Sequence, residues 1–498
     1  MKNNTYDIVI VGGGLGGIYS AYRLMQHNSD LRILVLEKQN YIGGRVFTYK
    51  DSHMQVEVGA GRIHSSHSGI IGLLRELGLH GLLVENGTRT FYAPSDGSGT
   101  LEYYGDGKLP SVPLIKKIIL AARKELRSGA GGAVSSGGSG GVMGAGVRGK
   151  EYLQSIGFIE YAKKIISPGE VQYIKDTFGY YSELVVMNAY DAVALLKGLL
   201  DDGGSGSAGS GKYYSLKGGF SQLIRAMLDE ISKMNHSDRN VKCKIMKNCA
   251  VKNIKKVVGG GVGGVGGGEH SFLIDVESKD HVITTYSCKK CICALTTNAL
   301  QRLSIMKPLR KELNSVYCGA LCRIYSHFDP VVGAGAGAGS GDGGEVGKGG
   351  KVWWHGLPKV TTDNNLRMII PINEKEGTIM ISYTDNIYAE FWNDLYKKSG
   401  VRGVNQELRR LMEKTFGDRV SGDSGGSGVG GPKHTNVFYW PCGVGYWKIG
   451  ADSSAVSRKM IRPFDDTDFF VCGENFSEKY QQWMEGAIET SDRVLKMV

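Results

Sequence analysis

The opening residues carry the clearest succession of apolar and polar segments in the chain. Residues 6–11 form a short apolar run that predicts a strand, and it leads straight into glycines. Residues 15–26 follow with Ile18, Ala21, Leu24 and Met25 on one face at helical spacing. Residues 31–36 predict a second buried strand. Helical patterns recur at 68–77, 114–126, 170–177 and 221–233, with a last helix predicted over 483–497. Short strands, alternating or wholly apolar, are predicted at 250–257, 272–276, 291–295, 322–328, 367–372, 378–382 and 469–471. Strands alternating with helices predict an α/β start, and the mixture in the middle predicts α+β.

Five stretches interrupt the pattern, near 128–149, 203–211, 259–268, 333–350 and 421–431. They are so rich in Gly, Ser and Ala that they have too few apolar residues to bury a core, and they read as flexible surface inserts. They lack the flanking strand and helix that a glycine-rich phosphate cradle needs. At 498 residues the chain is too long for one compact core, which predicts two or more domains.

The net charge of +11 raises the question of an anionic partner. The lysines are spread along the chain, and the densest stretch, 242–256, reads as solvated strand edges, so nucleic-acid binding is not expected. No apolar run is long enough to span a bilayer, which predicts a soluble protein. Nine cysteines, an odd count, and the lack of a leader sequence predict reduced thiols in a cytoplasmic setting. Cys288, Cys291 and Cys293 lie close together, but the last two belong to an apolar strand-like run and no second ligand pair has suitable spacing. They read as small buried hydrophobes, and no metal site is expected.

Chemistry enters with Val11-Gly12-Gly13-Gly14-Leu15-Gly16-Gly17. It follows a predicted strand and opens a predicted helix, and Glu37 ends the second strand twenty residues after Gly17. That is the context a dinucleotide-binding turn requires. Gly12 permits the tight turn, Gly14 lets the backbone approach a pyrophosphate, and Gly17 lets helix and strand pack closely. The helix N-terminus offers free N–H groups to the phosphates, and Glu37 can accept from ribose hydroxyls.

Three further segments carry a family resemblance. Glu37-Lys38-Gln39-Asn40-Tyr41-Ile42-Gly43-Gly44-Arg45 resembles the arginine-bearing extension that follows this turn in flavin amine oxidases. Phe469-Phe470-Val471-Cys472-Gly473-Glu474-Asn475 resembles their second FAD signature, and Trp483-Met484-Glu485-Gly486-Ala487-Ile488 the start of their flavin-facing helix. The resemblance implies FAD as cofactor. It implies a discontinuous Rossmann-like FAD-binding domain of the glutathione-reductase type, built from 1–66, 213–305 and 439–498. A mixed-sheet and helical substrate domain, 67–212 and 306–438, is inserted into it. Beyond the glycine turn (Gly12, Gly14, Gly16, Gly17), the implied cofactor contacts are Glu37, Lys38, Gly44, Arg45, Gly59, Ala60, Gly61 and Arg62. Val251 is implied at the adenine, and Gly473, Glu474, Trp483, Met484 and Ala487 complete the set. Gly445 stands where some relatives carry a flavin-bonded cysteine, which implies non-covalent FAD.

On the substrate side Val58-Gly59-Ala60-Gly61-Arg62-Ile63 resembles the L-amino-acid oxidase branch, where the arginine clamps the substrate carboxylate. Tyr446 and Trp483 match the two aromatics that flank the substrate nitrogen. Arg323 replaces the lysine that relatives place beneath flavin N5, where it holds a water and assists the reaction with oxygen. His64 and His67 follow Arg62, and His64 matches a pocket histidine of some polyamine oxidases; a structural histidine is the other reading. The implied reaction is oxidation of an amine C–N bond, most of all that of an L-amino acid. Hydride passes to flavin N5, the imine hydrolyses to keto acid and ammonia, and molecular oxygen regenerates FAD with release of hydrogen peroxide. Monoamine or polyamine oxidation, C–C desaturation and a non-catalytic FAD-bound scaffold stay open as alternatives.

Overall fold

The computed structural model describes residues 4–28, 30–87, 89–128, 145–200, 211–236, 242–257, 272–329, 352–417, 420 and 431–498. The five glycine-rich stretches, and the reading of them as surface inserts, lie outside these residues apart from their margins.

One sheet is organised around the N-terminal strand Thr5–Val11. This strand pairs in parallel with Ile33–Leu36 on one side and with Ile283–Cys293 on the other. Cys243–Met246 extends the first edge in parallel, and Phe469–Val471 pairs in parallel with the end of Ile283–Cys293. Phe272–Ser278 and Cys249–Lys256 continue the other edge antiparallel. Parallel strands are covered on both faces, which explains their unbroken apolar runs. Ile8, Ile10, Ile33 and Val35 face one core, packed with the helices Leu15–His27, Ser221–His236 and Met484–Leu495. Val9, Val11, Leu34 and Leu36 face the other, where Cys288, Cys291 and Cys293 are fully buried.

A second, six-stranded sheet runs in the order His434–Trp447, Val316–His327, Thr378–Asp385, Met368–Asn373, Lys359–Thr362 and Thr90–Ala93. Its back is covered by the helical stretch Asn386–Phe416, which bends at Gly400 (φ +59°) and buries Trp392, Leu408 and Phe416 against the sheet. A layer of helices (Val112–Ser128, Ala145–Ser155, Pro168–Thr177, Ala189–Leu200) makes a separate core that includes Tyr446. Ser167 and Glu170 form a reciprocal capping box at the start of one of them. No described helix is long and apolar enough to cross a membrane.

Two expectations change. The strand His434–Trp447 hydrogen-bonds along Val316–His327, so residues 439–447 belong by pairing to the second sheet rather than to the glycine-turn sheet. Cys318 and Cys442 are joined in a disulfide, against the expectation of reduced thiols throughout, while seven cysteines are free and buried. Antiparallel pairing with an irregularity between Gly319 and Leu321 brings their Cα atoms to 5.0 Å across 124 residues of sequence. That proximity exists only once the sheet has formed.

Candidate functional site

The glycine turn opens onto a cavity of about 1670 Å³ that runs between the two sheets. Gly12 has φ +107°, and a Cβ there would lie 2.4 Å from the Ala294 carbonyl oxygen. A Cβ on Gly17 would lie 2.0 Å from the Gly12 carbonyl oxygen, so helix and turn touch backbone to backbone. Gly14 is different: it caps the helix Leu15–His27, lines the cavity, and a Cβ on it would meet nothing within 4 Å. The open space at the helix N-terminus fits a pyrophosphate. Gly16 lies on the same wall, its Cβ direction 3.3 Å from the Ser491 hydroxyl.

Glu37 is buried at the end of its strand, accepting from Gly13 N and Gln39 N at 2.8 Å each, one bond per oxygen. A carboxylate offers about four acceptor sites, so capacity is left for a ribose. Lys38, Gly44, Gly59, Ala60 and Gly61 continue the wall, and Val251 faces the cavity beside Cys249 and Ala250. Gly59 sits against Arg45, and a Cβ on it would be 1.9 Å from that carbonyl. Gly473 (φ +128°), Met484 and Ala487 close the far side.

Glu474 also lines the cavity, but its oxygens are occupied. Oε1 accepts from Arg45 Nη1 at 2.5 Å and from Asn475 Nδ2, and Oε2 accepts from Gln482 N at 2.9 Å and Gly445 N at 3.3 Å. Arg45 Nη1 also donates to the Gly443 carbonyl at 2.7 Å. This carboxylate therefore ties Arg45, the 443–445 turn and the approach to Trp483 together, and has no free acceptor for a ribityl hydroxyl.

Arg62, Arg323, Tyr446 and Trp483 all line the cavity. Arg62 Nη2 donates to the Tyr180 hydroxyl at 3.0 Å, and its guanidinium lies 4.9 Å from the Tyr213 ring and 5.6 Å from the Trp483 ring. Trp483 caps the helix Met484–Leu495, stacks on Tyr213 at 6.0 Å, and meets His67 edge-on at 4.9 Å. Tyr446 is 2% exposed and packs with Tyr317 at 6.4 Å. Arg323 Nη1 donates to the Glu57 carbonyl at 2.7 Å, with its guanidinium 4.5 Å from the Tyr383 ring.

His64 does not stand on the cavity wall. Its Nδ1 pairs with the Ser66 hydroxyl at 2.6 Å and its ring packs on Tyr213 at 4.9 Å, the arrangement of a structural histidine. His67 is the one that supports the wall, from behind Trp483, and burial together with His64 pushes it down to about 3, which keeps it neutral.

Three wall residues carry no motif signal, Glu183, Lys359 and Tyr383, and they gather around Tyr180, whose segment Gly179-Tyr180-Tyr181 resembles one in the L-amino-acid oxidase branch. Tyr180 and Tyr383 meet edge-on at 5.7 Å. Glu183 rides on the short helix Tyr181–Val185, whose first N–H groups, Tyr181 N and Ser182 N, donate to the buried Asp385 at 3.0 and 2.7 Å. Burial and the neighbouring Asp385 push Glu183 up to about 8.

A model of the flavin containing amine oxidoreductase family matches residues 15–494. Aplysianin-A of Aplysia kurodai is 23% identical over 563 aligned residues, covering 99% of this chain and 90% of that protein. Flavin-containing amine oxidase B of Homo sapiens is 36% identical over 78 residues, 16% of this chain and 15% of that enzyme. Putrescine oxidase, solved with putrescine bound, superposes with a TM-score of 0.66 at 14% identity over 99% of this chain and 98% of that one. The match across nearly the whole chain, on a fold whose glycine turn opens into a dinucleotide-sized cavity, places this protein in the flavin-containing amine oxidoreductase family, with FAD as its cofactor.

Proposed function

We propose that the chain oxidises the C–N bond of an L-amino acid, with Arg62 holding the substrate α-carboxylate. The observation that carries this reading is the state of Arg62. It lines the cavity, gives one hydrogen bond to the Tyr180 hydroxyl, and among the described residues has no carboxylate within ion-pair distance. A guanidinium in that state keeps its charge and has donors left for a planar, bidentate partner. Aromatic faces from Tyr213 and Trp483 hold it in place.

The buried Tyr446 and the half-buried Trp483 supply apolar wall where the reacting carbon is to be oriented, and they favour a neutral amine by excluding water. Bound FAD supplies the hydride acceptor and molecular oxygen the final oxidant, with hydrogen peroxide and, after hydrolysis, keto acid and ammonia as products. Gly12, Gly14 and Gly16 are assigned to the pyrophosphate, with Gly17 packing the helix against the turn that holds it, Glu37 and Lys38 to the ribose end, and Val251 to the adenine. Gly44, Arg45, Gly59, Ala60, Gly61, Gly473, Met484 and Ala487 are assigned to the flavin half, and Glu474 acts there through Arg45. Non-covalent attachment is supported by Gly445, which offers no side chain and whose Cβ direction is filled by Asn475 Nδ2 at 2.6 Å.

Arg62→Ala is expected to lower kcat/KM for an L-amino acid by roughly 10- to 100-fold through KM, the scale of one lost charged hydrogen-bond pair. The decarboxylated amine should be affected far less; equal losses on both substrates contradict the clamp. A diamine is the second reading, supported by the Glu183 carboxylate on the same wall and by the likeness to putrescine oxidase. Arg62 and the buried Arg323 weigh against a second cation there.

A further inference from the structure

Around the Tyr180 ring the cavity holds charges that an α-carboxylate clamp leaves unused. Lys359 opens the strand Lys359–Thr362, and its Nζ lies 5.8 Å from the ring centroid. Among the described residues no carboxylate is within ion-pair distance of it, so the ring face is its partner. Glu183 is 5% exposed, and its Oε2 is buried without a hydrogen-bond partner. A buried carboxyl oxygen in that state is costly unless an incoming group satisfies it. Arg62 and Arg323 complete the charged set near the ring. The next carboxylate on the wall, Glu57, is engaged through one oxygen: Oε1 accepts from the Thr48 hydroxyl at 2.8 Å and from Phe220 N at 3.0 Å, while Oε2 is buried without a hydrogen-bond partner.

We propose that Lys359 recognises a second carboxylate on the substrate, so that the chain prefers a dicarboxylic L-amino acid such as L-glutamate. The inference rests on the Arg62 reading given above. Tyr180 spaces the two cations: its hydroxyl meets Arg62 and its ring meets Lys359, which suits a short molecule with a carboxylate at each end.

The electrostatics agree with this. Burial, with Arg62 adding repulsion, pushes Lys359 down to about 7, and an incoming carboxylate opposes both effects and favours the ammonium form. Glu183, raised to about 8, is mostly protonated near neutral pH, so its O–H can donate to the distal carboxylate. A lysine or arginine side chain would instead meet the like charges of Arg62, Arg323 and Lys359, with Glu183 beside them largely neutral.

The test uses the full-length protein with FAD bound, reduced anaerobically by L-glutamate, L-glutamine, L-leucine and L-lysine. The expected result is a kcat/KM for L-glutamate roughly 10- to 100-fold above that for L-glutamine, the scale of a charged hydrogen bond. Lys359→Met should collapse that ratio, mainly through KM, and Lys359→Arg should restore part of it. Should the methionine variant lose FAD, the wild-type protein decides: glutarate should perturb the flavin spectrum at lower concentration than butyrate by a similar factor. L-leucine or L-lysine reducing the flavin as well as L-glutamate, with glutarate no tighter than butyrate, overturns this inference alone. A flavin that no L-amino acid reduces overturns the Arg62 reading and this one with it.

Discussion

Arg323 is held from two sides, by the Glu57 carbonyl at 2.7 Å and the Tyr383 ring at 4.5 Å, where the family resemblance puts a lysine with a water. Its planar head fills space that a shorter ammonium would leave open. Arg323→Lys is therefore expected to speed reoxidation of the reduced flavin by oxygen more than it changes anaerobic reduction. Stopped-flow measurement of the two half-reactions checks this, and equal changes in both count against a role at the oxygen step. That Arg62, Tyr446, Trp483 and Arg323 share one cavity could be anticipated from the sequence because each sits inside a local motif. For Glu183 and Lys359 it could not, since Ser182-Glu183-Leu184 and Pro358-Lys359-Val360 are unremarkable until the Asp385-capped helix and the second sheet bring them to Tyr180. His64 is marked in the sequence only by its place next to Arg62; that it pairs with Ser66 off the cavity wall depends on geometry that spacing does not reveal.

At the scale of elements, the glycine turn separates two kinds of glycine. Gly17→Ala puts a Cβ 2.0 Å from the Gly12 carbonyl oxygen, whereas Gly14→Ala meets open cavity. Gly17→Ala is expected to lose both flavin and stability, by about 1–3 kcal/mol or more. Gly14→Ala should keep the wild-type melting temperature without FAD and bind the cofactor more weakly. The flavin-to-protein absorbance ratio beside a thermal melt distinguishes them, and full flavin occupancy in Gly14→Ala contradicts the pyrophosphate assignment. The N-terminal strands and helix were readable because their apolar periodicity is local. The 14-residue strand His434–Trp447 was not, because Pro441, Gly443 and Gly445 break its pattern and its stability comes from pairing with Val316–His327. The Cys318–Cys442 link was hidden for the same reason.

For the whole molecule, the sheet built on the glycine turn draws strands from residues 5–36, 243–293 and 469–471, so the cavity is complete only when distant parts of the chain have met. The sequence motifs located the two ends of that cavity, and the second sheet supplies the wall between them. The activity proposed for this cavity is the oxidation of amines that bear a carboxylate. The direct test is anaerobic mixing of the FAD-bound protein with matched pairs of L-amino acids and their decarboxylated amines, following the absorbance of oxidised flavin. Bleaching by at least one L-amino acid, at concentrations where its amine partner has little effect, is the predicted result. No bleaching by any amino acid, or equal bleaching by both members of every pair, would contradict it.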